Sequence, residues 1–298
     1  MATFNYVTKD GGLLDQKITA GLFTNTLGTP QVDFLNGGKS FTLRSVSTSG
    51  SKPHTRGKGF NEGTVKDDKT VYTMTQDRDI EFYVDKQDVD ETNQELSMAN
   101  ISATYIGEHL QPEVDSYRFS KLANFTDDAE LLKRNKVEEA LTTANVYTQL
   151  KQGIRKVRKY GPQNLIAYVS SDVMDALERS TEFTRNITNQ NVGTTALESR
   201  ITSLDGVTLQ EVWDDSRFLT AYDWDDEPKP AEDAQQINFL VVNKPSVIPV
   251  VKENSVFLFA PGEHTEGDGY LYQNRMYHDL FVKKNQADGI FASISKKA

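Results

Sequence analysis

The sequence contains no cysteine, which excludes disulfides, thiolate metal sites and cysteine nucleophiles. Histidine is scarce: His54, His109, His264 and His278 are all there is, and none stands in a metal-ligand spacing such as His-Glu-x-x-His. No Gly-x-Ser-x-Gly nucleophile elbow occurs. No apolar run approaches the roughly 18 residues that a membrane-spanning helix needs. Met1 to Tyr6 offer neither the basic nor the apolar part of an export signal. A cytoplasm-like compartment and no membrane partner are expected. Hydrophobic residues are sparse too, at 37%, with a mean hydropathy of -0.56. That leaves room for a core and also for exposed arms and loops.

Positive charge is in deficit. Lys and Arg number 33 against 43 Asp and Glu, for a net charge of -10. Such a chain does not bind nucleic acid by bulk attraction, since phosphates repel it. Lys151, Arg155, Lys156, Arg158 and Lys159 form the one basic run. It falls in the last turns of a predicted helix, where cations complement the helix dipole. No aromatic residues interleave with it to make a single-strand platform.

Other motifs dissolve on inspection. Gly38-Lys39-Ser40 looks like the end of a phosphate-binding loop, but Asp33 stands where that loop needs glycine. Phe41 onwards also alternates like a strand, not a helix. Asp223, Asp225, Asp226 and Glu227 cluster beside Trp224, without the spacing of a calcium loop, and Pro228 and Pro230 suggest a solvated turn. Asp77-Arg78-Asp79 and Asp88-Val89-Asp90-Glu91 lie at a strand base and a helix start, where ion pairs or capping explain them. No catalytic, metal or cofactor residue is assigned, and no cofactor is expected.

The 298 residues suffice for one large domain or two modest ones. Residues 1–36 read as an extended arm with a short helical piece near Asp15 to Thr26. Residues 37–84 read as a long β-hairpin. Phe41 and Leu43 alternate on the outgoing limb and Ile80, Phe82 and Val84 on the return. Between them, Ser47 to Lys69 is too polar to bury itself against its own core. Helix follows over 88–124, capped by Asp88 with Glu91, its stripe marked by Leu96, Ala99, Ala103, Ile106 and Leu110. Pro112 kinks or restarts it. A second helix is predicted from Lys136 to Lys159, stopped by Gly161-Pro162. Leu165 to Val169 reads as a strand and Ser171 to Ser180 as a short helix. Further strands are predicted at Val207 to Val212, Ile237 to Asn243, Val256 to Ala260, Tyr270 to Asn274 and Met276 to Lys283, and an exposed acidic loop at Pro228 to Gln236. The class is α+β, without a βαβ repeat.

The order of these segments carries a resemblance. Asp77-Arg78-Asp79-Ile80-Glu81-Phe82-Tyr83-Val84-Asp85 and the block Pro112-Glu113-Val114-Asp115-Ser116-Tyr117-Arg118-Phe119 resemble the hairpin-to-spine segments of tailed-phage major capsid proteins. Ala167-Tyr168-Val169-Ser170, Ile237-Asn238-Phe239-Leu240-Val241-Val242 and Arg275-Met276-Tyr277-His278-Asp279-Leu280 are similar to later blocks, so the likeness spans about residues 13–292.

The resemblance implies a Hong Kong 97-like fold and a structural subunit, not an enzyme. It implies an N-terminal arm (1–36), an E-loop hairpin (37–84), a P-domain with a spine helix (85–135), an A-domain (136–236) and strands returning to the P-domain (237–298). The implied partners are further copies of the chain in hexamers and pentamers, a separate scaffolding protein and a portal. The implied location is a virion capsid around double-stranded DNA, assembled in the host bacterial cytoplasm. Lys52, Arg56, Lys58, Phe60, Lys66 and Lys69 are the candidate inter-subunit contacts on the E-loop. Leu96, Ala103, Ile106 and Leu110 are the candidate packing face of the spine. Lysines that could crosslink lie in the loop, but no acceptor asparagine can be chosen. An encapsulin-like compartment shell is the alternative within this fold. An unrecognised enzyme or a nucleic-acid-binding module are the readings outside it.

Overall fold

In the computed structural model, residues 21–28, 30, 38–54, 56, 57, 59–91, 98–180, 202–265 and 267–296 are described. The helical piece expected near Asp15 to Thr26 is represented by a 3-10 turn at Phe23–Leu27; residues 15–20 lie outside the described residues.

Strands β1 (Ser40–Thr48) and β2 (Val65–Thr73) form an antiparallel two-stranded ribbon, from Ser40 opposite Thr73 to Thr48 opposite Val65. This corrects the expected hairpin. The next strand, β3 (Gln76–Val84), is not its return limb. The true return limb escapes the hydrophobic pattern because an exposed ribbon has no buried face to mark. β3 alternates because one of its faces packs on a sheet.

The helical run comprises α1 (Lys86–Glu91), α2 (Met98–Tyr105), a π turn at Ile106–Leu110 and α3 (Gln111–Ala123). Asp85, not Asp88, caps α1: its Oδ1 accepts from Gln87 N at 2.8 Å. Pro112 sits in the first turn of α3, directly after the π turn, inside a continuous helical run. The π turn ahead of it lets Gln111 N–H reach Ile106 O.

After α4 (Ala129–Asn135) the predicted long helix is replaced by β4 (Lys136–Glu139), a turn, and α5 (Val146–Val157). Asn145 Oδ1 accepts from Thr142 N at 2.7 Å, which closes that turn and starts α5 late. Gly161, at φ 89°, ends the helical stretch as anticipated. Then come β5 (Leu165–Ser170), α6 (Ser171–Glu178), β6 (Ser203–Leu204) and β7 (Val207–Val212). A minimal hairpin, β8 (Tyr222–Asp223) with β9 (Lys229–Pro230), carries the acidic loop around Trp224, just ahead of the predicted 228–236 loop. The chain finishes with β10 (Ile237–Asn243), β11 (Val247–Phe259), β12 (Tyr270–Val282) and β13 (Ile290–Ser295).

Two sheets organise the core. The larger runs β4-β13-β10-β5-β7-β6, with β4 parallel to β13 and β5 parallel to β7. Its side chains alternate between two clusters. Ile166, Tyr168, Leu240, Val242, Ile290 and Ala292 face Phe119 and Leu122 of α3. Ala167, Val169, Phe239, Val241 and Phe291 face Leu150, Ile154 and Val157 of α5. With both faces covered, β5 and β10 are buried along their whole length. α5 can approach only because Gly153 lacks a side chain: a Cβ there would stand 2.8–2.9 Å from the rings of Phe291 and Phe239.

The smaller sheet runs β11-β12-β3. Residues 237–298 thus divide between the sheets: β11 and β12 join β3, while β10 and β13 belong to the larger sheet. Ile248, Val250 and Tyr277 of the smaller sheet bury Phe41 and Met74 at the base of the ribbon.

Candidate functional site

The ribbon is anchored at one end and free at the other. At its base, Phe41 is buried, stacked on Tyr72 at 5.5 Å and edge-on to Phe281 at 5.2 Å. Tyr72 OH reaches the Val282 carbonyl at 3.4 Å. Beyond the base the side chains face solvent. Val46, Val65 and Val71 are exposed, and Phe60 at the tip is 98% exposed. Among the described residues the tip ties to itself, by Ser49 N to Thr64 O at 2.9 Å and Asn61 Nδ2 to Pro53 O at 2.9 Å. Lys52, Arg56, Lys66 and Lys69 are exposed along it; Lys58 lies outside the described residues. Two strands alone are marginally stable in water. This ribbon holds its shape with apolar side chains uncovered.

The 3-10 turn of the arm, by contrast, is fastened deep in the molecule. Asp115 of α3 is fully buried, and its carboxylate accepts from Phe23 N (2.9 Å), Thr24 N (3.0 Å) and Thr24 Oγ1 (2.8 Å). Arg217 Nη1 adds a contact at 3.3 Å, while its Nε donates to Asp214 at 2.9 Å and its guanidinium lies 5.4 Å over the Phe23 ring. Arg118 Nη1 donates to Thr24 Oγ1 at 3.0 Å. Thr26 Oγ1 meets Tyr168 OH at 2.7 Å, and Phe23 is edge-on to Trp213 at 5.6 Å. Burial pushes the Asp115 carboxyl up, opposed by these donors and by Arg217. Sequence reading missed this clasp. Thr24 and Arg217 stand 91 and 102 residues from Asp115, and no local pattern links them.

A second polar cluster joins α3 to the smaller sheet. Asp279 of β12 accepts from Tyr117 OH (2.9 Å) and Thr75 N (2.9 Å). His278 stands edge-on to Tyr117 at 5.3 Å. Burial, with Arg118 and Arg78 nearby, pushes the His278 imidazole down to about 3. Arg78 pairs with Glu113 at 2.5 Å and donates to the carbonyls of Trp224 and Asp226 at 2.7 and 2.6 Å. The acidic loop is therefore held through its backbone by a cation. Among the described residues no three metal-ligating side chains converge there or elsewhere.

The predicted spine face needs correction. Ala103 is exposed, Ile106 and Leu110 are half-buried, and Leu96 lies outside the described residues. The ring of α2 that meets the sheet is Tyr105, edge-on to Phe82 at 5.5 Å and to Tyr272 at 6.3 Å. The π turn after Tyr105 shifts the helical phase, so a stripe drawn at constant spacing drifts off the packing face.

No family model matches the sequence, and no curated protein matches it. The fold does find counterparts. A chain of the capsid structure of cyanophage P-SCSP1u is similar over 98% of this chain and 93% of that one, with 14% identity and a TM-score of 0.72. A chain of the bacteriophage PhiM1 mature capsid is similar over 99% and 93%, with 16% identity and a TM-score of 0.70. A chain of Mycobacterium phage Che8 matches over 98% of both, with 13% identity and a TM-score of 0.58. The resemblance read in the sequence blocks is thus met by the fold: across nearly its whole length, this chain is folded like the chains of phage capsids.

Proposed function

We propose that the chain is the major capsid protein of a tailed bacteriophage, a structural subunit of the Hong Kong 97-like type without enzymatic activity. In this reading copies of the chain assemble as hexamers and pentamers into an icosahedral shell around double-stranded DNA. Assembly takes place in the host bacterial cytoplasm with a separate scaffolding protein and a portal. The E-loop is the ribbon of β1 and β2. The P-domain comprises the smaller sheet with α1 to α3 as spine, and the A-domain is built on the larger sheet.

The observation that carries the reading is the ribbon: anchored by Phe41, uncovered beyond it, with Phe60 98% exposed. An exposed apolar tip on a two-stranded ribbon is matched to a surface the subunit itself does not supply. A neighbouring copy supplies it, with Lys52, Arg56, Lys58, Lys66 and Lys69 at its margin. Likeness to phage capsid chains over nearly the whole length favours a phage shell over an encapsulin-like compartment.

The test is expression with the neighbouring scaffold gene, followed by electron microscopy. Closed icosahedral particles are expected from the parent. Deleting residues 51–66 should leave a folded subunit that forms no stable shell. Normal shells from the deletion would sink the assignment of the ribbon as the inter-subunit element.

A further inference from the structure

The basic run at the end of α5 meets a basic pair at the end of α4 on one face. Lys133 and Arg134 end α4; Arg155 and Lys156 end α5, with Arg158 and Lys159 just beyond. The parallel pairing of β4 with β13 sets α4 beside the end of α5. There Lys156 Nζ donates to the Arg134 carbonyl, and Lys159 pairs with Asp288, whose carboxyl is held down by Lys159 and also by Arg134. All six of these cationic side chains are exposed. Glu130 engages Lys133 at 3.0 Å and Asp288 engages Lys159. Among the described residues no carboxylate forms an ion pair with Arg134, Arg155, Lys156 or Arg158. A helix C-terminus carries about half a negative charge. Two such ends offset about one of the cations and leave the others unexplained.

The chemistry of the patch selects its partner. None of the exposed large apolar residues lies on α4 or α5, so the patch lacks the apolar centre of a protein interface. The rings below it are covered: Lys156 stands 5.6 Å over Phe291 and Lys159 5.1 Å over Tyr160. No ring is open for bases to stack on. What remains is an exposed array of cations suited to closely spaced phosphates. We propose that this patch contacts the phosphate backbone of duplex DNA, weakly and without sequence preference; this rests on the reading that the chain encloses DNA. The net charge of -10 opposes tight binding, so the contact is local and labile to salt. A lining of this kind orders the packaged duplex without trapping it.

Anisotropy of a labelled mixed-sequence duplex, titrated with purified subunit between about 50 and 300 mM salt, tests this. With about four phosphates neutralised, affinity should fall by about fifty-fold between 50 and 150 mM salt. The triple variant Arg134→Glu, Arg155→Glu, Arg158→Glu should lose binding at least about tenfold at the lowest salt and flatten the salt slope. The matching triple Gln variant should move the same way by less, which separates charge from misfolding. Lys66→Glu with Lys69→Glu, on the ribbon, should bind like the parent. Absence of binding at 50 mM salt, an unchanged slope in both triple variants, or loss in the ribbon variant would overturn the proposal. So would displacement of the duplex by polyglutamate at lower charge concentration than by unlabelled DNA, which would make the patch a dock for an acidic protein. Particle formation, scored separately by microscopy, keeps the two readings apart. Shells without DNA binding would refute only the patch, and an absence of shells from the parent would refute the capsid reading.

Discussion

In β10 all seven residues are buried, whereas in β2 seven of nine are exposed. Both strands belong to antiparallel pairs with good backbone hydrogen bonding, so pairing alone does not decide their fates. The difference lies in what covers them. β10 is closed on one face by α3 and on the other by α5, and its apolar side chains contribute at roughly 25 cal/mol per Å² removed from water. β2 is exposed without interruption from Val65 to Lys69, and that stretch gains this term only when another molecule covers it. The large sheet keeps the subunit folded, and the ribbon's exposed side chains add little to that fold. Substitutions in the first region should act on unfolding of the isolated subunit. Those in the second should act on particles and leave unfolding almost untouched.

The largest effect on the folded subunit is expected at the arm clasp. Asp115→Ala removes the acceptor of two backbone N–H groups and of Thr24, and leaves Arg217 buried with Asp214 as its remaining carboxylate. Breaking a buried pair of this kind costs about 3–5 kcal/mol. Urea unfolding of the subunit should show that loss, and Trp213 fluorescence should report release of Phe23, its edge-on neighbour. Gly153→Val comes next. Its methyl groups would enter the space of Phe239 and Phe291, and overpacking of this sort costs about 1–3 kcal/mol. The midpoint of urea unfolding is again the readout.

Acid should also strike the built region first. His278 has its pKa depressed to about 3 in the folded chain, against about 6.5 when unfolded. The unfolded state therefore binds more protons between those values, and stability falls as pH drops through that window. From pH 6.5 to 5 the loss attributable to this group is about 2 kcal/mol. Glu113 and Asp115, raised by burial, bind protons more readily when folded and work in the opposite sense. Comparison with His278→Phe, which keeps an edge-on ring against Tyr117, isolates the histidine. If the two proteins lose stability in parallel from pH 6.5 to 5, the histidine is not the group responsible.

The same division governs how much was legible in advance. Leu165 to Val169 and, within Ile237 to Asn243, Phe239 to Val242 are apolar throughout because both faces are covered, and both strands are legible in the sequence. β2 was missed because Val65-Lys66-Asp67-Asp68-Lys69-Thr70-Val71 has no buried face to print a period on the sequence. Ile80, Phe82 and Val84 of β3 alternate clearly, but alternation reports a half-buried strand and not which strand it pairs with. β4 was absorbed into a helix since four residues at a sheet edge are too few to show a period. The ribbon's polarity could be read, so its exposed lysines and Phe60 were named in advance. The clasp could not, because Asp115 on a helix looks like any surface carboxylate until Thr24 and Arg217 arrive from distant segments.

A smaller effect follows from the corrected helix face. Ile106 lies half-buried in the π turn, not in a sealed interface. Ile106→Asp should therefore cost the folded subunit only about 1 kcal/mol, since solvent still reaches the new carboxylate. Soluble, folded Ile106→Asp with a modest drop in its urea midpoint supports the revised face. Failure to obtain any folded protein would restore the original one.

The smallest effect on stability, and the sharpest test of the division, belongs to Phe60→Ala. The ring is 98% exposed, and its aromatic neighbour among the described residues is His54 at 6.3 Å, itself on the tip. Removing it takes almost nothing from the folded subunit, and surface substitutions of this kind stay within about 0.5 kcal/mol. If the tip seats on a neighbouring copy, the same ring becomes buried there, and burying a phenylalanine is worth about 1.5–3 kcal/mol for every subunit in the shell. The expected result is therefore an unchanged urea midpoint for the subunit together with fewer closed particles, or particles that open at a lower temperature. Light scattering during a thermal ramp would measure the second. A subunit destabilised by more than about 1 kcal/mol would mean that the ribbon is part of its own core after all. Particles as numerous and as heat-resistant as the parent's would mean that Phe60 seats on nothing, and the contact would have to be sought along Val46, Val65 and Val71 instead.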